Sequence, residues 1–164
     1  MIEPGALPAA REALLVELEQ MPAFLVESLA SIPAGAARRR GREGTFAPVE
    51  HCWHLADLER EGYGARIRSL LNEDRPHLAD FDGARVAAER AYLEKALSEG
   101  VEAFREARRA NVALLRSLDA HKWSRSGFQD GVGEVRLSDL PRLMAEHDRG
   151  HRTEILAWLR ESRP

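Results

Sequence analysis

Two histidines four residues apart, His147 and His151, and a third far upstream, His54, are the residues of this chain best suited to chemistry. On a helix, positions i and i+4 lie one above the other, so both imidazoles can reach a single ion without bending the backbone. Nitrogen donors of this kind hold zinc and similar metals at about 2.0–2.1 Å. His147 and His151 share a stripe with Leu140, Met144, Ile155 and Trp158, at intervals of three or four. They therefore replace core residues, and a buried imidazole needs a hydrogen bond or a metal. Spacing alone leaves both readings open, because HxxxH is a short and permissive pattern. The upstream donor is open as well. His54 lies on a flank of the apolar face defined by Val49, Cys52, Trp53, Ala56, Tyr63, Ile67 and Leu70, and His51, three residues earlier, reads as a partly exposed alternative.

Long amphipathic helices must position these side chains, since apolar residues recur every three or four positions while strand signals are scarce. Four are expected. The first spans about Leu7 to Ile32, with a kink or restart at Pro22. A Gly- and Arg-rich loop, Ala34 to Thr45, leads to the second, about Ala47 to Leu71, with Pro48 in its first turn. The connection from Asn72 to Asp82 is too long for a tight antiparallel turn and is expected to cross the bundle. The third helix is expected from Ala84 to Leu118, with Asn111 inside its apolar seam and Gly100 as a weak point. His121 to Leu137 reads as a long loop with a hairpin near Gly131 to Val135, placed so that Trp123, Arg125 and Phe128 would border the histidines or plug the bundle end. The fourth helix is expected to start with Ser138 as N-cap and to end near Arg160. The prediction is all-α: a four-helix bundle in one domain, residues 1–164.

At 164 residues, 44% hydrophobic and 31% charged, with no apolar run near bilayer length and no signal-like N-terminus, the chain reads as a cytoplasmic globular protein without membrane partners. The lone Cys52 agrees with that compartment and, on the second helix's apolar face, reads as an inert buried thiol. A net charge of -3 gives no bulk attraction to nucleic acid. The one basic cluster, Arg38, Arg39, Arg40 and Arg42, lacks interleaved aromatics and reads as a solvated linker.

The run Phe46-Ala47-Pro48-Val49-Glu50-His51-Cys52-Trp53-His54-Leu55-Ala56-Asp57, with Trp123, Gly127 and the His147-Asp148-Arg149-Gly150-His151 segment, resembles the motifs of the DinB-like superfamily over nearly the whole chain. In that resemblance His54, and not His51, matches the second-helix histidine. The implied fold is a four-helix bundle wound up-down-down-up. The implied metal ligands are His54, His147 and His151, holding one divalent transition metal such as Zn, Ni, Fe or Mn. Two departures stand out: Ala47 replaces the usual Ser or Thr, leaving only the Glu50 half of a capping box, and Glu154 replaces a common Gln, where a carboxylate reads as an acceptor behind the histidines, an extra oxygen ligand or an ordinary charged rim residue.

Three neutral imidazoles leave coordination positions open, as catalytic sites do. The resemblance implies chemistry with a low-molecular-weight thiol cosubstrate, with hydrolysis as the neighbouring activity, so the expected function is a metal-dependent thiol S-transferase or hydrolase acting on a small molecule. The competing class is a non-catalytic, stress-associated protein that binds a metal or small molecule. No catalytic residue is singled out: Asp57, Glu61, Asp148 and Glu154 lie near the histidines in sequence but read as solvated carboxylates. Homodimers, common in the family, are a further expectation.

Overall fold

The computed structural model describes residues 6–162; the extreme N-terminus, on which part of the signal-peptide reading falls, lies outside them. Helix α1 runs from Ala6 to Leu29 as one element straight through Pro22. The Arg-rich connection forms short 3-10 turns at Ala36–Arg38 and Arg42–Gly44. The second long rod is composite: α2 (Pro48–Asp57), a π-helical turn (Leu58–Tyr63) and α3 (Gly64–Asn72) follow without a break. Pro48 occupies its first turn, where a missing N–H costs nothing. Glu50 Oε2 accepts the Ala47 N–H at 2.9 Å, the surviving half of the capping box.

The third helix differs from expectation. It is split into α4 (Gly83–Glu89), a 3-10 turn (Tyr92–Glu94) and α5 (Leu97–Arg116). Ala91 adopts the left-handed conformation at the break, with φ 48°. The break lets two neighbouring side chains converge on one carboxylate: Tyr92 Oη donates to Asp57 Oδ2 at 2.5 Å, and Arg90 Nη1 sits 2.7 Å from the same atom. An unbroken helix would point residues 90 and 92 in different directions. Gly100 allows α5 to close on α2, since a Cβ there would lie 2.9 Å from Trp53 Cδ1 and 3.1 Å from Cys52 Cβ.

The chain is mostly helical, as the all-α prediction has it, and beside the helices three short strands form a small sheet in the order β1-β2-β3. Strand β1 (His77–Leu78) pairs in parallel with β2 (Ser126–Gln129), which pairs antiparallel with β3 (Gly133–Arg136). This is the expected hairpin, with a strand recruited from the connection after α3. Helix α6 (Ala120–Trp123) precedes it, and α7 (Leu140–Glu161) follows it. The N-cap of α7 is Asp139 rather than Ser138, after a 3-10 turn at Leu137–Asp139 that displaces the start by one residue.

The long helices pack α1 on α5 and α7, and α2 on α5 and α7. Contacts between α1 and α7 advance together along the two helices, Glu17 with Arg149 and Phe24 with Arg152. Those between α2 and α5 also advance together, Trp53 near Gly100 and Glu59 near Arg108. One apolar cluster, including Leu15, Leu18, Ile67, Leu70, Val112, Trp123 and Met144, fills one part of the bundle. A second, including Met21, Leu25, Cys52, Leu55, Phe104 and Ile155, fills another. No helix among the described residues is long and apolar enough to cross a membrane.

Candidate metal centre

Helix α2 carries His54, and α7 presents His147 and His151 on successive turns facing it. The Nε2 atoms of His54 and His147 are 3.3 Å apart, and those of His147 and His151 are 3.1 Å apart. All three offer donor atoms within 4.8 Å of one another. The structure thus brings together the three histidines singled out in the sequence. Phe46 packs edge-on against His54 at 5.5 Å between centroids, Phe81 lies 6.0 Å away, and Tyr63 sits 6.1 Å from His147. These aromatic rings, drawn from three segments, wall the cluster. None of the three was evident as a neighbour from periodicity.

The electrostatics suit nitrogen ligation. Burial is the main cause that holds His54 and His147 down to about 4. Burial lowers His151 still further, with the nearby His147, His51 and His54 rings adding to the penalty. All three rings are therefore neutral at pH 7, and with its proton on Nδ1 each offers an Nε2 lone pair to a shared cation. The donor set fits a divalent ion.

The same shifts fix a pH dependence for the metal-free protein. An unfolded chain takes up a proton on each histidine near 6.5, whereas folded His54 and His147 resist until about 4. Between those values the unfolded state binds more protons, so stability falls as pH falls. The expected loss is roughly 1 kcal/mol per pH unit for each such histidine. Denaturant midpoints of apo-protein from pH 7 to pH 4 check this, and a flat profile would contradict it.

His54 is held from behind by Gly83. A Cβ at that position would lie 2.4 Å from Cε1 and 2.6 Å from Nδ1 of the imidazole, at the tight entry to α4. Gly83→Ala should therefore push the His54 ring out of place and weaken zinc affinity about tenfold or more. Competition with a chromophoric chelator measures this, with wild-type affinity as the contrary result.

His51 is buried rather than partly exposed, and its Nδ1 lies 2.7 Å from Nδ1 of His151. Asp57 and Asp148 are buried and bonded rather than solvated, while Glu61 and Glu154 remain partly exposed. Glu61 pairs with Arg90 at 2.8 Å, and burial raises the Glu154 carboxyl above its ordinary value. Cys52 is fully buried, its thiol pushed up to about 12. Trp123 packs in the core under the Arg11 guanidinium, Arg125 donates to the carbonyls of Leu70 and Glu73, and exposed Phe128 lies beside His77. The 121–137 segment therefore spends these side chains on the end of the bundle, and the cluster's walls come from elsewhere. Arg38 donates to the Leu93 carbonyl, Arg39 to Ser162 Oγ, Arg40 to both Glu50 oxygens, and Arg42 pairs with Glu161. The basic cluster is thus tied to acceptors within the chain.

Sequence reasoning missed the group directly behind the histidines. Arg108 on α5, 2% exposed, places Nη1 2.6 Å from Asp148 Oδ2 and Nη2 3.0 Å from Asp148 Oδ1. Its other edge meets Glu59, Nη2 to Oε2 at 2.9 Å and Nε to Oε1 at 2.9 Å. Asn111 completes the set, donating to the Glu59 carbonyl at 2.8 Å and to Oε1 at 3.1 Å. Asp148 follows His147 directly in the chain, so this network fixes the histidine-bearing turns of α7 against α5 and the π-helical turn.

A mostly helical bundle with imidazoles from two helices gathered at one buried point defines a class of helical proteins built around a histidine cluster. The chain belongs to the DinB superfamily, whose family model matches residues 17–155. Among solved structures it is similar to YfiT from Bacillus subtilis, described as a probable metal-dependent hydrolase with an unusual four-helix bundle topology. The two share 20% identity and a TM-score of 0.86 over 98% of this chain and 90% of that one. The four-helix bundle fold is therefore common to both. No curated protein sequence matches this chain.

Proposed function

We propose that the protein is a metal-dependent enzyme acting on a small molecule, with His54, His147 and His151 holding one divalent transition metal. The convergence of three neutral imidazole nitrogens from two helices carries this reading. A divalent cation held there supplies Lewis acidity to an oxygen or sulfur group that enters the site. The chain's own residues do the rest. Phe46, Phe81 and Tyr63 exclude water around the imidazoles. Arg108 holds Asp148 and with it the turn that carries His147. Tyr92 and Arg90 hold Asp57, one turn beyond His54. Hydrolysis ranks first, in keeping with the description of YfiT, and transfer to a small thiol second, since a three-donor set has room for a thiolate. An up-down-down-up winding is supported by the contacts that advance together along α1 with α7 and along α2 with α5.

The test pairs structure with turnover. Protein purified without added metal is assayed for bound elements, then for ester hydrolysis and for transfer of cellular thiols to a generic electrophile, before and after chelation. Chelation should abolish turnover while helical content persists, because two apolar clusters stabilise the bundle independently of an ion. Unfolding on chelation would identify a structural ion instead, and a folded protein inert on every substrate would favour a binding protein.

A further inference from the structure

We infer that His51 and Glu154 are positioning residues that fix the tautomer of His151 and so set how tightly the site holds its metal. The inference rests on the three-histidine reading above and extends it to two residues outside the ligand set.

His151 turns Nε2 toward His147, and Nε2 can bind an ion only if the ring proton resides on Nδ1. A buried Nδ1–H needs an acceptor, and the bonding partner the structure gives it is His51 Nδ1, at 2.7 Å with the two rings nearly perpendicular at 84°. Accepting that bond obliges His51 to carry its own proton on Nε2. That atom is buried and has no hydrogen-bond partner among the described residues. Its nearest charged neighbour is Glu154 Oε2, at 3.7 Å. The distance is too long for a hydrogen bond, but the glutamate side chain is 47% exposed and free to rotate the remaining gap closed. The result is a directional chain, His151 Nδ1–H to His51 Nδ1, then His51 Nε2–H to the Glu154 carboxylate.

A carboxylate suits the last place because, once ionised, it only accepts. Each link favours the tautomer that leaves His151 Nε2 bare and raises the basicity of that nitrogen, as acceptors behind metal-binding imidazoles do. His51 reaches this place from the first turns of α2, and Glu154 from the turn after His151, so the chain also ties the two metal-bearing helices together.

The experiment measures Zn²⁺ affinity of the metal-free full chain by competition with a chromophoric chelator, and stoichiometry by elemental analysis, with circular dichroism to establish folding. His51→Phe fills the space without an acceptor and should weaken binding about 10–100-fold. His51→Gln restores an acceptor oxygen and should recover most of that loss. Glu154→Leu, at the surface, should weaken binding in the same direction by a smaller factor, and remains informative should His51→Phe fail to fold. Wild-type affinity in His51→Phe, or equal weakness in His51→Gln and His51→Phe, would overturn the proposal while leaving the three-histidine reading in place. Two ions per wild-type chain, falling to one in His51→Phe, would overturn it in favour of a second ion between His51, His151 and Glu154. Absence of Zn²⁺ binding by the wild-type chain would overturn the metal centre itself.

Discussion

Arg108→Ala should destabilise the protein by about 3–5 kcal/mol, the cost of breaking a buried ion pair from one side. The guanidinium is the only cation bonded to Glu59 and Asp148 among the described residues, and its removal leaves two carboxylates facing each other out of water. Burial already raises the Asp148 carboxyl above its ordinary value, against the pull of Arg108. Without the arginine, protons must be taken up on folding, so the variant's deficit should shrink as pH falls toward the carboxylate range. Urea denaturation of the metal-free protein measures both effects. The triple change Glu59→Leu, Arg108→Met and Asp148→Leu serves as control, because replacing a buried ionic group by apolar side chains is often neutral. If the triple variant is as unstable as Arg108→Ala, packing rather than orphaned charge is responsible.

His151→Ala should abolish stoichiometric metal. It removes one of three donors and also the partner of His51, so the loss should exceed the roughly 100-fold expected for a supporting hydrogen-bond partner. Elemental analysis of the purified variant, together with chelator competition, gives the answer. Full retention of metal would mean that His151 lies outside the ligand set. Folding of the metal-free form should survive, since alanine at 151 removes a buried polar ring with no charge at pH 7.

The long helices and the histidine pair were legible because each follows a 3.6-residue period, and the hairpin because its glycines punctuate a non-periodic stretch. What escaped was polar and non-local. The apolar stripe of the second helix has a gap between Ala56 and Tyr63, and Glu59 fills it as a buried carboxylate. Arg108 lies four residues after Phe104 and three before Asn111, on the same seam, yet an arginine there reads as surface unless its two carboxylates are known. The break at Ala91 was hidden for a related reason. Alanine and arginine favour helix locally, and it is long-range bonds, among them those of Arg90 and Tyr92 to Asp57 and of Arg38 to the Leu93 carbonyl, that hold the chain in another conformation. His51 illustrates the limit of periodicity: a position near a helix start gave no sign that α7 would bury it.

The π-helical turn at Leu58–Tyr63 has a meaning for how relatives of this chain are compared. An α-helix advances about 100° per residue, so a turn that holds an extra residue resets the phase of everything that follows. Upstream, His54 faces α7; downstream, Ile67 and Leu70 face a different cluster, with Tyr63 at the change of phase. A relative shorter by one residue in this segment would close it as plain α-helix, because the π-helical turn is what absorbs the extra residue. The counterparts of Ile67 and Leu70 would then still face the core, each one position earlier in the count. Homology across the family is therefore better judged here by angular register than by residue count, and a one-residue gap between the His-Leu-Ala-Asp motif and the following helix marks the loss of a bulge within an unchanged architecture.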